Sequence, residues 1–173
     1  MQLRTALFSL AGLAAAAIED GTPFNLMALR SASDIHFAPF NAALNSILLR
    51  LPSQNANCGC GVPSNSSAAF YLEEGGLYLY TGDDSTPQQL FVDRSGMGES
   101  WPRNGERDVF ELDEYDDLTF NGSGFLACPG SIDDAWSVWV SAGVANPGGH
   151  TDCLGLVARA VENDDAAPCL YTN

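Results

Sequence analysis

The stretch LYLYTGDDSTPQQLFVDRSG, residues 77–96, decides the fold because it contains two apolar strands joined by a polar turn. The segments LMALRSASDIHFAPF, residues 26–40, and FLACPGSIDDAWSVWVSAG, residues 125–143, repeat this layout. The three segments begin 51 and 48 residues apart, and a further apolar run follows each of them. Three units of roughly 50 residues, none of which can bury its apolar face alone, predict a β-trefoil-like barrel.

Short apolar runs between clusters of Gly, Pro, Asn, Asp and Ser recur along the chain and predict an all-β fold. The expected strands are 26–30, 34–37, 68–73, 76–81, 89–93, 108–112, 118–120, 125–128, 136–141, 153–160 and 169–172. The last of them, CLYT, is expected to close the barrel beside the first strand. Residues 41–51 are ambiguous because their apolar spacing also permits about two helical turns. A two-layer β-sandwich is the alternative, since it accommodates the same number of strands.

The amino terminus, MQLRTALFSLAGLAAAAIEDG, has the layout of a secretory signal peptide. Arg4 precedes an apolar stretch, and three alanines at residues 15–17 suit a cleavage site. Acidic residues end this stretch before the roughly 20 apolar residues that a membrane span needs. We therefore expect residues 1–17 to be a signal peptide and residues 18–173 to form one secreted β domain.

The charge balance excludes several classes of function. Seven basic residues oppose 22 acidic ones, giving a net charge of −15, and the chain contains no lysine. Such a field repels nucleic acids and anionic lipids, so neither a nucleic-acid partner nor a membrane partner is expected. The lack of lysine also excludes enzymes that need a Schiff-base lysine or a P-loop lysine.

Five cysteines follow the export signal, so disulfides are expected. Cys153 and Cys169 flank the last expected hairpin, and Cys128 could pair with Cys58 or with Cys60, which leaves the connectivity open. A zinc site is disfavoured because the CGC spacing is unlike that of a zinc knuckle and the chain has only two histidines. No metal or other cofactor is expected.

Two further sets of residues are candidates for surface roles. Asn65 in NSS and Asn121 in NGS are N-glycosylation acceptors if the chain passes through a eukaryotic secretory pathway. Trp136 and Trp139 are three residues apart, so in a strand they face opposite sides, and one of them must lie at the surface or under a loop. An exposed tryptophan can stack on a sugar. Trp101 and Trp139 are therefore the candidates for ligand contact.

Catalytic constellations are not supported by the sequence. His36 alternates with apolar neighbours, and His150, next to Asp152 in a Gly-rich loop, could form a triad only with Thr151 or Ser141, without a supporting motif. The paired carboxylates all fall in or beside polar turns, where both side chains stay hydrated, and their spacing fits no EF-hand. The chain is expected not to be an enzyme.

The stretch FVDRSGMG, residues 91–98, resembles a phosphate-binding loop in composition but has no following helix and no lysine. Gly96 and Gly98 are interpreted as turn residues with positive φ.

Several segments carry a resemblance to a known family. They are APFNAALNSI, LPSQNANC, FYLEEGGLYLY, QQLFVDRSGMG, FLACPGSI, AWSVWVSAGVANPGGHTDC and the terminal CLYT. From Leu26 to Thr172 the chain resembles the fungal cell-wall protein PhiA family. The resemblance implies a protein secreted to the cell wall, associated with phialide and conidium formation, with relatives that are IgE-binding antigens. It implies no catalytic residues. Cys60 and residues 99–107 depart from the family pattern.

Two functions therefore follow as hypotheses. The first is a non-catalytic, secreted wall protein whose partner is a wall polysaccharide or another wall protein. The alternative is a β-trefoil binding module that recognises glycan, or that inserts residues 54–67 or 99–107 into a secreted protease or another host protein.

Overall fold

The structure is a computed structural model that describes residues 17–59, 67–82, 85–93, 96–99, 108–144 and 146–172. Strands make up 45% of the structure and helix is almost absent, which confirms the all-β class. The strands are β1 (Phe24–Leu29), β2 (Phe40–Ala43), β3 (Ser46–Leu49), β4 (Asn57–Cys58), β5 (Ala69–Glu73), β6 (Gly76–Leu79), β7 (Gln88–Asp93), β8 (Gly96–Glu99), β9 (Phe110–Leu112), β10 (Asp117–Phe120), β11 (Phe125–Cys128), β12 (Trp136–Val140), β13 (Leu154–Glu162) and β14 (Cys169–Leu170). Single 3₁₀ turns lie at Ile132–Asp134 and Pro147–Gly149.

One large antiparallel sheet runs in the order β2-β3-β12-β11-β13-β1-β5-β6-β7-β8 and curls into a half-barrel. Strand β13 is its hub, because it pairs with β1, β11 and β10. Strand β9 extends the sheet from β10, and β4 pairs with β14 in a separate ribbon. The three-unit trefoil and the two-layer sandwich are finer descriptions of this all-β architecture, and both stay predictions.

The core forms because apolar residues alternate along the strands. In β1, Phe24, Leu26 and Ala28 are buried, whereas the residues between them are only half-buried. The same alternation in β5 and β6 buries four apolar side chains, Phe70, Leu72, Leu77 and Leu79. Each Leu or Phe that leaves water completely contributes roughly 1.5–3 kcal/mol to folding. All seven side chains belong to one continuous core cluster.

Two segments differ from the expectation drawn from the sequence. Residues 34–37 form turns and not a strand, because the His36 N–H donates a hydrogen bond to the Ser33 carbonyl within the same segment. Of these four residues, only Ile35 is buried in the core. The ambiguous segment 41–51 forms the β2–β3 hairpin. Its two-residue turn, Leu44–Asn45, has positive φ at both positions, as in a type I′ turn.

The FVDRSGMG stretch also differs from its interpretation. It forms the β7–β8 hairpin, in which Gly96 pairs with Asp93 and Gly98 pairs with Phe91. Both glycines therefore lie in a strand, and their assignment to the turn was wrong. Arg94 lies outside the described residues.

The carboxyl-terminal run CLYT is also placed differently. Cys169 and Leu170 pair with β4, so the run does not lie beside the first strand. The position next to β1 is taken by β13 on one edge and by β5 on the other.

The disulfides are Cys58–Cys169 and Cys128–Cys153, which differs from the pairing suggested by chain order. The disulfide pairing follows from which strands are neighbours, because Cys58 and Cys169 lie opposite each other in the paired strands β4 and β14. Cys128 ends β11, and Cys153 immediately precedes β13, the partner of β11. Cys60 lies outside the described residues.

The residues after β14 are held by side chains from distant strands. Gln88 uses both ends of its amide: its Oε1 accepts from the Tyr171 backbone N–H at 3.0 Å, and its Nε2 donates to the Tyr171 carbonyl at 3.1 Å. The Tyr171 hydroxyl accepts a hydrogen bond from the Ala69 backbone N–H at 3.1 Å. Burial raises the pKa of Tyr171 to about 12.

Loss of the Cys58–Cys169 bridge is expected to cost more stability than loss of Cys128–Cys153. The bridges close chain segments of 111 and 25 residues, and the longer loop constrains the unfolded chain by about 1 kcal/mol more. Denaturant unfolding of the Cys58→Ala/Cys169→Ala and Cys128→Ala/Cys153→Ala double variants measures the difference. Non-reducing peptide mapping tests the pairing itself, and a Cys153–Cys169 peptide would contradict it.

Stability is expected to fall between about pH 10 and pH 12 through Tyr171. Its pKa is raised in the folded state, so the unfolded chain loses this proton first, and the stabilisation present below pH 10 is lost as pH rises. The loss amounts to about 3 kcal/mol at most. Tyr171→Phe leaves the Ala69 N–H without its acceptor and is expected to cost about 1–3 kcal/mol at pH 8. Parallel unfolding of both proteins should show this gap narrowing at high pH, and a constant gap would contradict the assignment.

Candidate functional site

The alternation that builds the core also places three tyrosines on the opposite face of the sheet. In FYLEEGGLYLY the leucines of β5 and β6 point into the core, so Tyr71, Tyr78 and Tyr80 point outward. Tyr71 lies directly opposite Tyr78 in the register of the two strands. We call these three residues the tyrosine face.

The rings of the tyrosine face contact one another in two geometries. Tyr71 and Tyr78 are stacked, with ring centroids 5.1 Å apart and an angle of 17° between the rings. Tyr71 and Tyr80 are perpendicular, with centroids 6.4 Å apart. Aromatic pairs of these kinds contribute about 0.5–1.5 kcal/mol beyond their buried area, so the face is held in a defined shape.

Gly76 allows the Tyr78 ring to lie against the backbone of β6. A Cβ atom at this position would lie 2.7 Å from Cε2 of Tyr78 and 2.8 Å from Nε2 of Gln89. Gln89 is itself held, because its Nε2 donates to the Asp108 carboxylate at 2.8 Å. The glycine is therefore required here by space and not by backbone conformation.

A pocket of about 290 Å³ lies beside Tyr71 and Tyr80. Its other polar walls are the carboxylate of Glu73 and the hydroxyl-bearing residues Thr81 and Ser85. Two glycines and a proline complete the lining, and none of the described lining residues is basic. We call it the tyrosine pocket. Aromatic rings, hydroxyls and a carboxylate suit a polyhydroxylated ligand that is neutral or positively charged.

Backbone contacts fix the rim of the pocket. Gly21 donates its N–H to the Leu72 carbonyl at 2.8 Å, which holds the chain entering β1 against β5. The Tyr80 carbonyl accepts from the N–H of Cys169 at 3.1 Å, so the disulfide-bonded ribbon anchors Tyr80. The pocket is therefore tied to the most constrained part of the chain.

The electrostatics of the pocket keep Tyr71 neutral. Burial raises the pKa of the Tyr71 hydroxyl, and the negative charge of Glu73 and the neighbouring Tyr78 raise it further. Tyr71 is therefore a hydrogen-bond donor across the physiological pH range.

Trp139, one of the two tryptophans expected to contact ligand, lies beneath the 147–150 turn. It is 8% exposed, and its Nε1 donates to the Ser137 hydroxyl at 2.9 Å. Gly148 covers the ring so closely that a Cβ there would lie 2.5 Å from Cη2, and the His150 ring centroid is 5.6 Å away. A ligand could reach this indole only by displacing the turn. Trp101, the other candidate, lies outside the described residues.

The residues considered for catalysis are not brought together. The Asp152 carboxylate accepts from the Thr151 hydroxyl at 3.2 Å, while His150 packs on Trp139. His36 Nδ1 accepts from the Arg30 backbone N–H. Within the described part of the chain, no hydrogen bond joins either imidazole to a carboxylate or hydroxyl.

The described residues hold neither a metal site nor a membrane-spanning helix. They contain no group of His, Cys, Asp or Glu side chains that could hold a metal ion. Nor do they contain a helix of the length and apolar character needed to cross a membrane.

The glycosylation acceptors and the long loops are only partly described. Asn121 is exposed and, with Gly122, forms a two-residue turn with positive φ at both positions. Asn65 lies outside the described residues. So do residues 60–66 and 100–107, which belong to the loops expected to insert into a protease, and that hypothesis stays a prediction.

The sequence did not lead to a prediction of the tyrosine pocket, because tryptophan has the larger ring for stacking on a sugar and the tyrosines read as ordinary strand residues. A signal was present, since tyrosines alternate with leucines in LYLY and a glutamate follows Tyr71 by two residues, on the same face of its strand. The sequence did not reveal that Thr81 and Ser85 lie beside these rings.

Comparisons with known proteins agree over almost the whole described chain. A family model described as PhiA-like secreted protein matches residues 24–172. The Cell wall protein phiA of Emericella nidulans is 45% identical over 179 aligned residues, covering 97% of this chain and 96% of the relative. The protein of the same name in Aspergillus fumigatus is 45% identical over 159 residues, covering 86% and 84%. That of Aspergillus niger is 41% identical over 186 residues and covers both chains fully. No solved structure matches the chain significantly.

Proposed function

Since the chain belongs to the family of PhiA-like secreted proteins, we propose that it is a non-catalytic, secreted protein of the cell wall of a filamentous fungus. Its role there is in wall structure and in phialide and conidium development. The observation that carries this proposal is the similarity, over nearly the full length of both chains, to proteins named Cell wall protein phiA.

The structure supports a durable extracellular protein. Two disulfides close segments of 111 and 25 residues, which suits an oxidising environment. The exposed acidic residues keep such a protein soluble during export. Among the described residues, neither imidazole is hydrogen-bonded to a hydroxyl or a carboxylate, as a catalytic triad would require.

Wall polysaccharide binding is the second candidate function, and the tyrosine pocket favours it. Sugars present apolar C–H faces that pack on aromatic rings and hydroxyls that bond to polar side chains. Tyr71 and Tyr80 provide perpendicular rings, and Thr81 and Ser85 provide hydroxyls. Binding at this pocket would hold the protein in the wall without a covalent bond. We retain the β-trefoil that the sequence repeats predict as the proposed scaffold. The pocket itself does not depend on it.

An epitope-tagged copy of the chain, expressed in a filamentous fungus, is expected to remain with washed cell walls and to be released by hot detergent or by wall-degrading enzymes. Immunoblots of wall and culture-fluid fractions measure this, with an equally tagged secreted enzyme as the control. Recovery from the fluid alone would remove the wall assignment and leave secretion intact.

Retention on insoluble chitin, β-glucan or mannan is expected to fall at least about fivefold in Tyr80→Ala, because one stacking surface is lost. Tyr115→Ala is the matched control, since Tyr115 is 63% exposed in the turn between β9 and β10 and is not part of the pocket. Bound and unbound fractions of the purified proteins give the ratio. Equal retention of both variants and wild type would exclude the tyrosine pocket as the polysaccharide site.

A further inference from the structure

The charge of the tyrosine pocket distinguishes between classes of sugar. Glu73 places a carboxylate on the same face of β5 as Tyr71, two residues along the strand. None of the described residues that line the pocket carries a compensating positive charge. A uronic acid or a phosphorylated sugar would therefore be repelled, whereas a positive group would be attracted.

The two rings add to this preference. A cation near the face of a tyrosine is attracted by the ring quadrupole, and the attraction grows when the cation is partly removed from water. Tyr71 and Tyr80 both line the pocket and their rings are perpendicular, so the two ring faces are oriented in different directions around it. Perpendicular aromatic rings with an adjacent carboxylate are a suitable environment for an ammonium group.

The hydroxyl-bearing residues of the pocket suit a ligand that carries hydroxyl groups as well as an amine. Thr81 and Ser85 lie in the same lining as the rings, and Tyr71 is held as a neutral donor. These groups can bond the ring hydroxyls of a saccharide. The volume of about 290 Å³ is at the lower end of ligand pockets and suits one or two sugar rings, not a long polymer segment.

The electrostatic field of the whole chain also favours a positively charged ligand. A net charge of −15, with no lysine present, raises the local concentration of cationic ligands near the surface. The pocket then supplies the selectivity that a diffuse acidic surface does not.

We propose that the tyrosine pocket binds a saccharide unit with a free amino group, such as a glucosamine residue of deacetylated chitin, through its ammonium on Glu73 and its ring on Tyr71 and Tyr80. This inference rests on the proposed binding of wall polysaccharide and specifies its chemistry. An amino sugar combines the positive charge and the polyhydroxylated ring that the two sides of the pocket require.

The test compares two tetrasaccharides that differ only in the amine. Glucosamine tetramer is expected to bind the full-length protein at least about tenfold more tightly than N-acetylglucosamine tetramer, as measured by titration calorimetry at pH 5.5. Raising sodium chloride from about 50 mM to 500 mM should weaken the first interaction several-fold and the second less than twofold, since only the first includes an ion pair. Equal affinities for the two tetramers would overturn the inference.

Variants separate the pocket from the acidic surface. Glu73→Gln is expected to lower the affinity for glucosamine tetramer to that for the acetylated tetramer. Glu114→Gln removes the same charge in the exposed turn between β9 and β10 and should change the affinity less than twofold. Equal losses in both variants would mean diffuse attraction to the surface and would exclude the site.

The aromatic contribution is tested with Tyr80. Tyr80→Ala should weaken both tetramers about tenfold, and Tyr80→Phe should restore binding because the ring and not its hydroxyl makes the contact. Glu73 is exposed, so Glu73→Gln decides the question even if Tyr80→Ala unfolds. The two proposals can fail separately. If the protein binds both tetramers equally but its retention on β-glucan still depends on Tyr80, the amino-sugar assignment is refuted and polysaccharide binding stands.

Discussion

The pairing of β1 with β13 is the constraint on which the rest of the structure depends. Six consecutive residue pairs, from Phe24 with Glu162 to Leu29 with Val157, join the two ends of the described chain. This contact closes the longest loop in the fold, so its entropic cost must be met by the burial of Phe24, Leu26 and Ala28. Once this pair has formed, β13 can also pair with β10 and β11, and β1 can pair with β5.

The register of β5 follows from this pairing and sets the tyrosine pocket. Because Phe24 pairs with Phe70, the alternation along β5 sends Phe70 and Leu72 inward and Tyr71 and Glu73 outward. A slip of one residue would bury the tyrosine and glutamate and expose the core residues, which is energetically prohibitive. The chemistry of the pocket is thus determined by the same side chains that build the core.

The sequence predicts features that depend on local pattern and fails for those that depend on distant partners. Alternation was enough to locate β1, β5, β6 and β11. It was not enough for residues 34–37, where backbone bonds to Ala28 impose turns, nor for Cys153, whose partner depends on which strand lies beside β13. For the pocket, the outward tyrosines are visible in LYLY, but Ser85 reaches them only through the chain path after β6.

For the proposed polysaccharide ligand, a small pocket would be sufficient for retention in a wall, because that ligand is a polymer. One site of about 290 Å³ can bury only one or two sugar rings, so the affinity for a free oligosaccharide is expected to be weak. In a wall, however, every repeating unit of the polymer is a ligand, and the local concentration of units is far above that of free sugar in solution. Occupancy of the pocket would follow this concentration, so even the weak binding that we propose would retain the protein. Weak contacts of the proposed kind would also be short-lived, so the protein would be able to move between units as the wall is remodelled, which a covalent link would prevent.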